Sequence, residues 1–286
     1  MSQSIKLGTS LQYQAAQAEH VFLSLGDLLQ ERLFFHPSLL LEREPLDEAD
    51  QMALDAILEG RSVQEFYQQV LAGVVESLAL NKEQRIRVQL NSCDSSELAS
   101  LIGGDFEVQE NNALLGLRGV SRFTDADNKS AFILECEFIK SLREQGFDVE
   151  IVVPFVKTLS DAARVIDALA EQGLPRGLNG LKVLFGADTP SSALLSERLL
   201  KYFDGVAIDL ETLAQLTLGV DMANERVSQA FSLDNEAVIE LVSHVFGYAQ
   251  VARKSHVLLL PGTEIASGKL TELLNEHIGT DVVLKG

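Results

Sequence analysis

The sequence predicts an α/β protein built as a single (β/α)8 TIM barrel over residues 1–286, with an α-helical insertion at 27–80 after its first strand. Three observations predict it. From about residue 85 onward, short apolar runs alternate with helical stretches; each run is apolar on both faces; and counting VFLSLG near residue 21 as the first gives eight strands. Strands buried on both faces and separated by helices are parallel strands with crossover helices. An open doubly wound sheet competes with the barrel, but no Gly-rich fingerprint follows any strand to support it.

VFLSLG (21–26) opens the series. Residues 27–80 break the rhythm and read as helices around an acidic middle, LEREPLDEAD. IRVQL (86–90) and LLGLRG (114–119) follow as strands, then EIVVPF (150–155). In TLSDAARVIDALAEQG, Ser160 or Asp161 caps a helix that Gly173 ends. LKVLFGA (181–187) precedes PSSALLSERLLKYF, where Leu194, Leu195, Leu199 and Phe203 fall on one helical face and Pro190 stands near its start. GVAIDL (205–210), a helix over roughly 235–253, HVLLLPG (256–262), the helix KLTELLNEH and DVVLK (281–285) complete the pattern.

The net charge of −19 repels nucleic acid phosphates and anionic lipid, so neither is an expected partner. A small anionic ligand needs local positive charge to bind such a chain. Cys93 and Cys136 stand far apart with no CxxC, which fits a reducing, cytoplasmic setting. The segment MSQSIKLGTS has no basic stretch followed by an apolar run, so no signal peptide is expected, and runs such as HVLLL are too short to span a bilayer. His20, His244 and His277 read as helical or peripheral, His256 begins a buried strand, and no zinc spacing occurs.

In a barrel of this kind the active site lies where strands meet the following loops. Reading off those strand ends gives Ser24, Gln89, Arg118, Asp188, Asp209 with Glu211, and Pro261.

Several strings then agree, in order and spacing, with one family. NALLGLRGVSRF, ALLSERLLKYFDG, AQLTLGVD, HPSLLLE, LIGGDFE, ILECEFIKSLRE and GLPRGLNGLKV resemble the C-terminal barrel of the PEP-utilising enzymes, of the phosphoenolpyruvate synthase type. The resemblance runs from about residue 20 to the end. It implies a phosphoenolpyruvate/pyruvate-binding barrel, a Mg2+ site and a homodimer formed through this domain. It also implies a nucleotide-binding domain and a swivelling phosphohistidine domain ahead of the barrel. Neither is expected within these residues, so the full ATP-driven reaction is not expected of this chain alone.

Phosphoryl transfer to or from pyruvate needs positive charge on the phosphate, a divalent cation on the enolate and a proton donor at the methylene carbon. The family motif G-[IV]-G-L-x-R-x-E-F resembles VFLSLGD with Ser24 at its arginine and Gly26 at its glutamate. The motif V-R-L becomes VQL, with Gln89 at the arginine; Arg87 lies on the same strand face, one pleat deeper. The arginines of R-G-x-x-R persist as Arg118 and Arg122, making them candidate anion contacts beside Gln89 and Ser24. For the metal, C-E-I-P aligns its glutamate with Asp188, and S-N-D-M-T-Q puts Glu211 at the asparagine and Thr212 at the aspartate. Asp188 with Glu211 or Asp209 is the candidate Mg2+ pair. The acid cysteine of G-I-C-G falls at or next to Leu259, which cannot donate a proton.

The expectation is therefore a barrel that is degenerate for phosphoryl transfer and acts by binding, with a small 2-oxo acid, a PEP-like ligand, a second copy or a family enzyme as its partner. The alternatives are a metal-dependent aldolase or lyase using Asp188, Glu211 and Arg118, and a residual PEP- or pyruvate-binding phosphotransferase subunit.

Overall fold

The structure is a computed structural model that describes residues 6–10, 20–41, 46–79, 84–262 and 268–285, the first of these as backbone only. Eight parallel strands close into a barrel in chain order. They are β1 (Lys6–Ser10), β2 (His20–Ser24), β3 (Arg85–Gln89), β4 (Val149–Val153), β5 (Lys182–Gly186), β6 (Gly205–Asp209), β7 (Ser255–Leu260) and β8 (Asp281–Leu284). β1 pairs with both β2 and β8 and so closes the ring.

The expected number of strands is met with a different membership. LLGLRG is not a strand: residues Ala113–Leu115 form a 3-10 turn, and a loop then leads to a short helix, Val120–Phe123. The reason is local. The Glu110 carboxylate folds back to accept the Leu117 N–H at 2.9 Å, and Gly119 turns the chain at φ 50°. With backbone groups satisfied by a side chain, the apolar run needs no ladder. KLGTS supplies the missing strand, so VFLSLG lies in the second strand and the helical segment follows β2. That segment contains the long helices α1 (Glu48–Leu58) and α2 (Val63–Ala79).

Elsewhere the crossover helices follow from the apolar pattern. In α3 (Lys129–Glu144), Phe132, Cys136, Ile139 and Leu142 recur at helical spacing and are all buried. α4 (Leu159–Glu171) starts at Thr158 rather than Ser160 or Asp161, because the Thr158 hydroxyl accepts the Asp161 N–H while Asp161 accepts the Thr158 N–H. It ends at Gly173 (φ 78°), with Leu174 N–H donating to Leu169 O at 2.9 Å. The run after β5 breaks into two short helices, Pro190–Leu194 and Ser196–Leu199. The break turns Leu194 to solvent while Leu199 and Phe203 stay buried. α5 (Leu210–Leu218), α6 (Glu236–Val251) and α7 (Gly268–Glu276) complete the outer layer. Among the described residues no helix is long and apolar enough to cross a membrane.

Two apolar regions result. The larger lies between strands and helices; the smaller plugs the barrel with Phe22, Val152, Leu184, Ala207, Val257, Leu259 and Val283. Below the plug, at the N-terminal end, Arg87 is fully buried among Glu150, His20, Ser255 and Asp281. His20 therefore belongs to the barrel floor and is not peripheral. Above the plug lie the strand ends.

Candidate functional site at the barrel mouth

The inward alternation of five strands lifts one polar residue each above the apolar plug. β2 contributes Ser24, β3 Gln89 and β6 Asp209, while Asp188 follows β5 and Lys285 follows β8. The Lys285 N–H continues the ladder to Leu260 O at 2.9 Å, which fixes where that side chain starts. Lys285 is absent from the strand ends read off the sequence. The signal was present in DVVLK, where Asp281, Val283 and Lys285 alternate on one face.

Asp188 is 2% exposed and sits under a constrained piece of backbone. Its Oδ2 accepts the Phe155 N–H at 2.9 Å, from a residue held at φ 53°. Its Oδ1 is buried without a hydrogen-bond partner among the described residues. Burial pushes the Asp188 carboxyl up to about 7, the Asp209 charge adds to that, and the Phe155 amide opposes it. Gly186 makes this fold-over possible. A Cβ there would stand 2.4 Å from Asp188 Oδ2 and 3.0 Å from Pro154 Cα. Gly186→Ala is expected to cost about 1–3 kcal/mol in a urea melt, the usual range for overpacking; an unchanged midpoint would mean that Asp188 has room to move.

Asp209 uses both oxygens. Oδ1 accepts the Thr212 N–H at 3.2 Å as the cap of α5, and Oδ2 pairs with the Lys285 ammonium. Burial alone would raise the Asp209 carboxyl, but Lys285 holds it below the usual range; in turn Asp209 pushes Lys285 up against the effect of burial. Glu211, in the first turn of α5, is raised by partial burial and by the Asp209 charge. Ser24 is spent as a cap, accepting the Asp27 N–H at 3.1 Å. Leu259 is 1% exposed inside the plug.

The arginines divide differently from the expectation. Arg87 does face the barrel interior, but at its floor: Nε donates to Glu150 at 3.0 Å and Nη2 to Asp281. It brings no charge to the mouth. Arg118 lies in the loop after the 3-10 turn and not at a strand end. It donates to Ser92 O at 2.9 and 3.1 Å and stacks over the Phe155 ring at 4.3 Å, which sets it beside the Asp188 loop. Arg122 has all five N–H donors engaged, on Leu117 O, both Glu107 oxygens, Asn128 and Ser95. Those bonds hold the loop to the short Ser95–Ala99 helix and leave no donor for an anion.

A Mg2+ ion takes about six oxygen ligands at about 2.0–2.1 Å. Three of the four oxygens on Asp188 and Asp209 already accept from an amide or the ammonium. Among the described residues no group of three or more His, Cys, Asp or Glu side chains is placed to hold a metal. The strand-end residues do not fit the divalent cation that the family resemblance implies.

Comparison with known proteins accounts for this scaffold. The family model described as "PEP-utilising enzyme, PEP-binding domain" matches residues 51–281. The chain is 38% identical over 221 residues to a phosphoenolpyruvate synthase of Escherichia coli (strain K12), covering 76% of this chain and 28% of that protein. It is 38% identical over 216 residues to one of Neisseria meningitidis serogroup B, covering 74% and 27% respectively. A phosphoenolpyruvate synthase of Pseudomonas aeruginosa is 39% identical over 192 residues, 66% of this chain and 24% of that protein. The chain thus spans about a quarter of the length of these curated relatives. With the matched region running from α1 to the start of β8, and a barrel of the expected kind around it, this chain belongs to the PEP-utilising enzyme family and carries its PEP-binding domain.

Proposed function

We propose that this chain does not transfer phosphoryl groups and acts as a binding, regulatory homologue within its family. The position of Arg87 carries the reading. It is the cation on β3 that stood nearest to replacing the arginine aligned with Gln89, and it is locked in the barrel floor by Glu150 and Asp281. Ser24 and Gln89 carry no charge, and Leu259 has no proton to give. A phosphoryl group at the mouth would meet Asp188, Asp209 and Glu211 with, among the described residues, one strand-end cation, Lys285, already paired. Removing one preorganised charge stabiliser costs about 100- to 1000-fold in rate, and here several positions differ together.

The ligand of this reading is a small 2-oxo acid or PEP-like anion held near Arg118, with a second copy of the chain or a family enzyme as protein partner. The experiment is phosphorus NMR of phosphoenolpyruvate with the chain, alone and with the phosphohistidine domain of a family enzyme. No loss of the phosphoenolpyruvate signal to phosphohistidine or inorganic phosphate beyond the blank is expected, while calorimetry with oxalate or pyruvate gives a binding isotherm. Sustained turnover would overturn the proposal.

One observation favours a second reading, a lyase or aldolase acting on a 2-oxo acid with Asp188, Glu211 and Arg118. Asp188, pushed up to about 7 with a buried unpartnered oxygen, has the poise of a general acid or base. Incubation of 2-oxo acids with the chain and magnesium or manganese tests it, and the absence of any carbon–carbon cleavage would remove it.

A further inference from the structure

The geometry points to Lys285 as a built-in cation that takes the place of a divalent metal at the barrel mouth and keeps metal out. The inference rests on the same mouth as the binding role proposed above. Its first support is position. β8 pairs with β7 through Leu259↔Val283 and Leu260↔Leu284, and the Lys285 amide extends that ladder to Leu260 O. Lys285 is thereby held on the inward face two residues above Val283, a plug residue, at the height of Asp209. Its ammonium pairs with Asp209 Oδ2 across the mouth, since Asp209 lies on β6 and β7 runs between them.

The second support is the set of acids around it. Asp209 gives the ammonium its largest favourable interaction, and Asp27 and Glu211 add to it. Asp188 also feels the Lys285 charge. One ammonium therefore serves the ring of carboxylates that a metal would otherwise have to neutralise. A third support is the oxygen inventory already given, which among the described residues leaves Asp188 Oδ1 as the unbonded oxygen of the Asp188 and Asp209 carboxylates in place of a full shell. A cation entering between Asp188 and Asp209 must break the Lys285 pair and sit beside a second positive charge. Both effects oppose binding.

The test is Mn2+ titration, read by electron paramagnetic resonance, of the unmodified chain and of Lys285→Met, Lys285→Gln and Lys285→Arg. The unmodified chain and Lys285→Arg are expected to bind no Mn2+ tighter than millimolar. Lys285→Met and Lys285→Gln are expected to gain one site at least about tenfold tighter. Because the acidic surface attracts Mn2+ weakly everywhere, Lys285→Met/Asp209→Asn serves as control; it keeps the net charge of −19 and should lose the gain. Should the neutral variants unfold in chelator, refolding on addition of Mn2+ counts as the gained site. Tight binding by the unmodified chain overturns the inference. So does failure of both neutral variants to gain a site, whether folded or unfolded. Turnover of phosphoenolpyruvate would end the binding role and leave this inference standing; Mn2+ bound by the unmodified chain would do the reverse.

Discussion

Arg87→Met is expected to destabilise the barrel by about 3 kcal/mol, within the range for removing one partner of a buried ion pair. The guanidinium is fully buried and donates to Glu150, Asp281 and Ser255, with His20 Nδ1 at 3.1 Å. Without it, two carboxylates remain beneath an apolar plug. Methionine fills much of the volume but offers no donor, so the loss reads the charge and not a cavity. Compensation is partial, because Lys182 at 3.3 Å and Arg85 at 3.4 Å also reach Glu150 from the partly exposed rim. Urea denaturation at neutral pH checks the value. A shift below about 1 kcal/mol would mean that the rim cations satisfy the floor by themselves.

Glu107→Gln is expected to be the second large effect, and its signature is in the pH dependence. Glu107 is nearly inaccessible and paired with both His36 at 3.1 Å and Arg122 at 2.6 Å. Burial alone would raise its carboxyl, but hydrogen bonds from His36 and Arg122 and the Arg122 charge bring it down to about 2, from 4.5. A folded-state value below the unfolded one means that the ionised form stabilises the fold. That stabilisation is complete above about pH 4.5 and is lost as pH falls towards about 2. Its size at neutral pH is on the order of 3 kcal/mol. Glu107→Gln should lose most of this at neutral pH and show a shallower acid limb, so that variant and parent converge in acid. Parallel curves between about pH 4.5 and 2 would rule out Glu107 as the titrating group.

On the binding role proposed above, these two clusters would let the chain keep its family's fold whatever its strand-end residues do. The His36–Glu107–Arg122 cluster ties HPSLLLE, LIGGDFE and LRGVSRF, three of the strings on which the resemblance rests. They are held together by buried charge, in the segments that follow β2 and β3. The mouth residues are tied in as well, Ser24 and Asp209 as caps, Asp188 by the Phe155 amide and Lys285 by Asp209.

By itself the sequence determined the parallel barrel, because strands buried on both faces and separated by amphipathic helices have few ways to pack. It also determined most strand ends, since Ser24, Gln89, Asp188 and Asp209 all stand at the C-terminal ends of strands that apolar runs delimit. Where backbone groups found a local partner the pattern misled: the Glu110 carboxylate turned LLGLRG from a strand into a loop and took Arg118 with it. Only the tertiary structure decided whether lying one pleat deeper keeps Arg87 out of the mouth. Alternation says that Arg87 faces inward, but one pleat of about 6.5 Å along the strand separates floor from mouth. The stagger of neighbouring strands assigns Arg87 to the former and Lys285 to the latter. Pairings such as Lys285 with Asp209 join strands that are not adjacent, so no local spacing announces them; they arise when the ring closes and two inward side chains reach the same height.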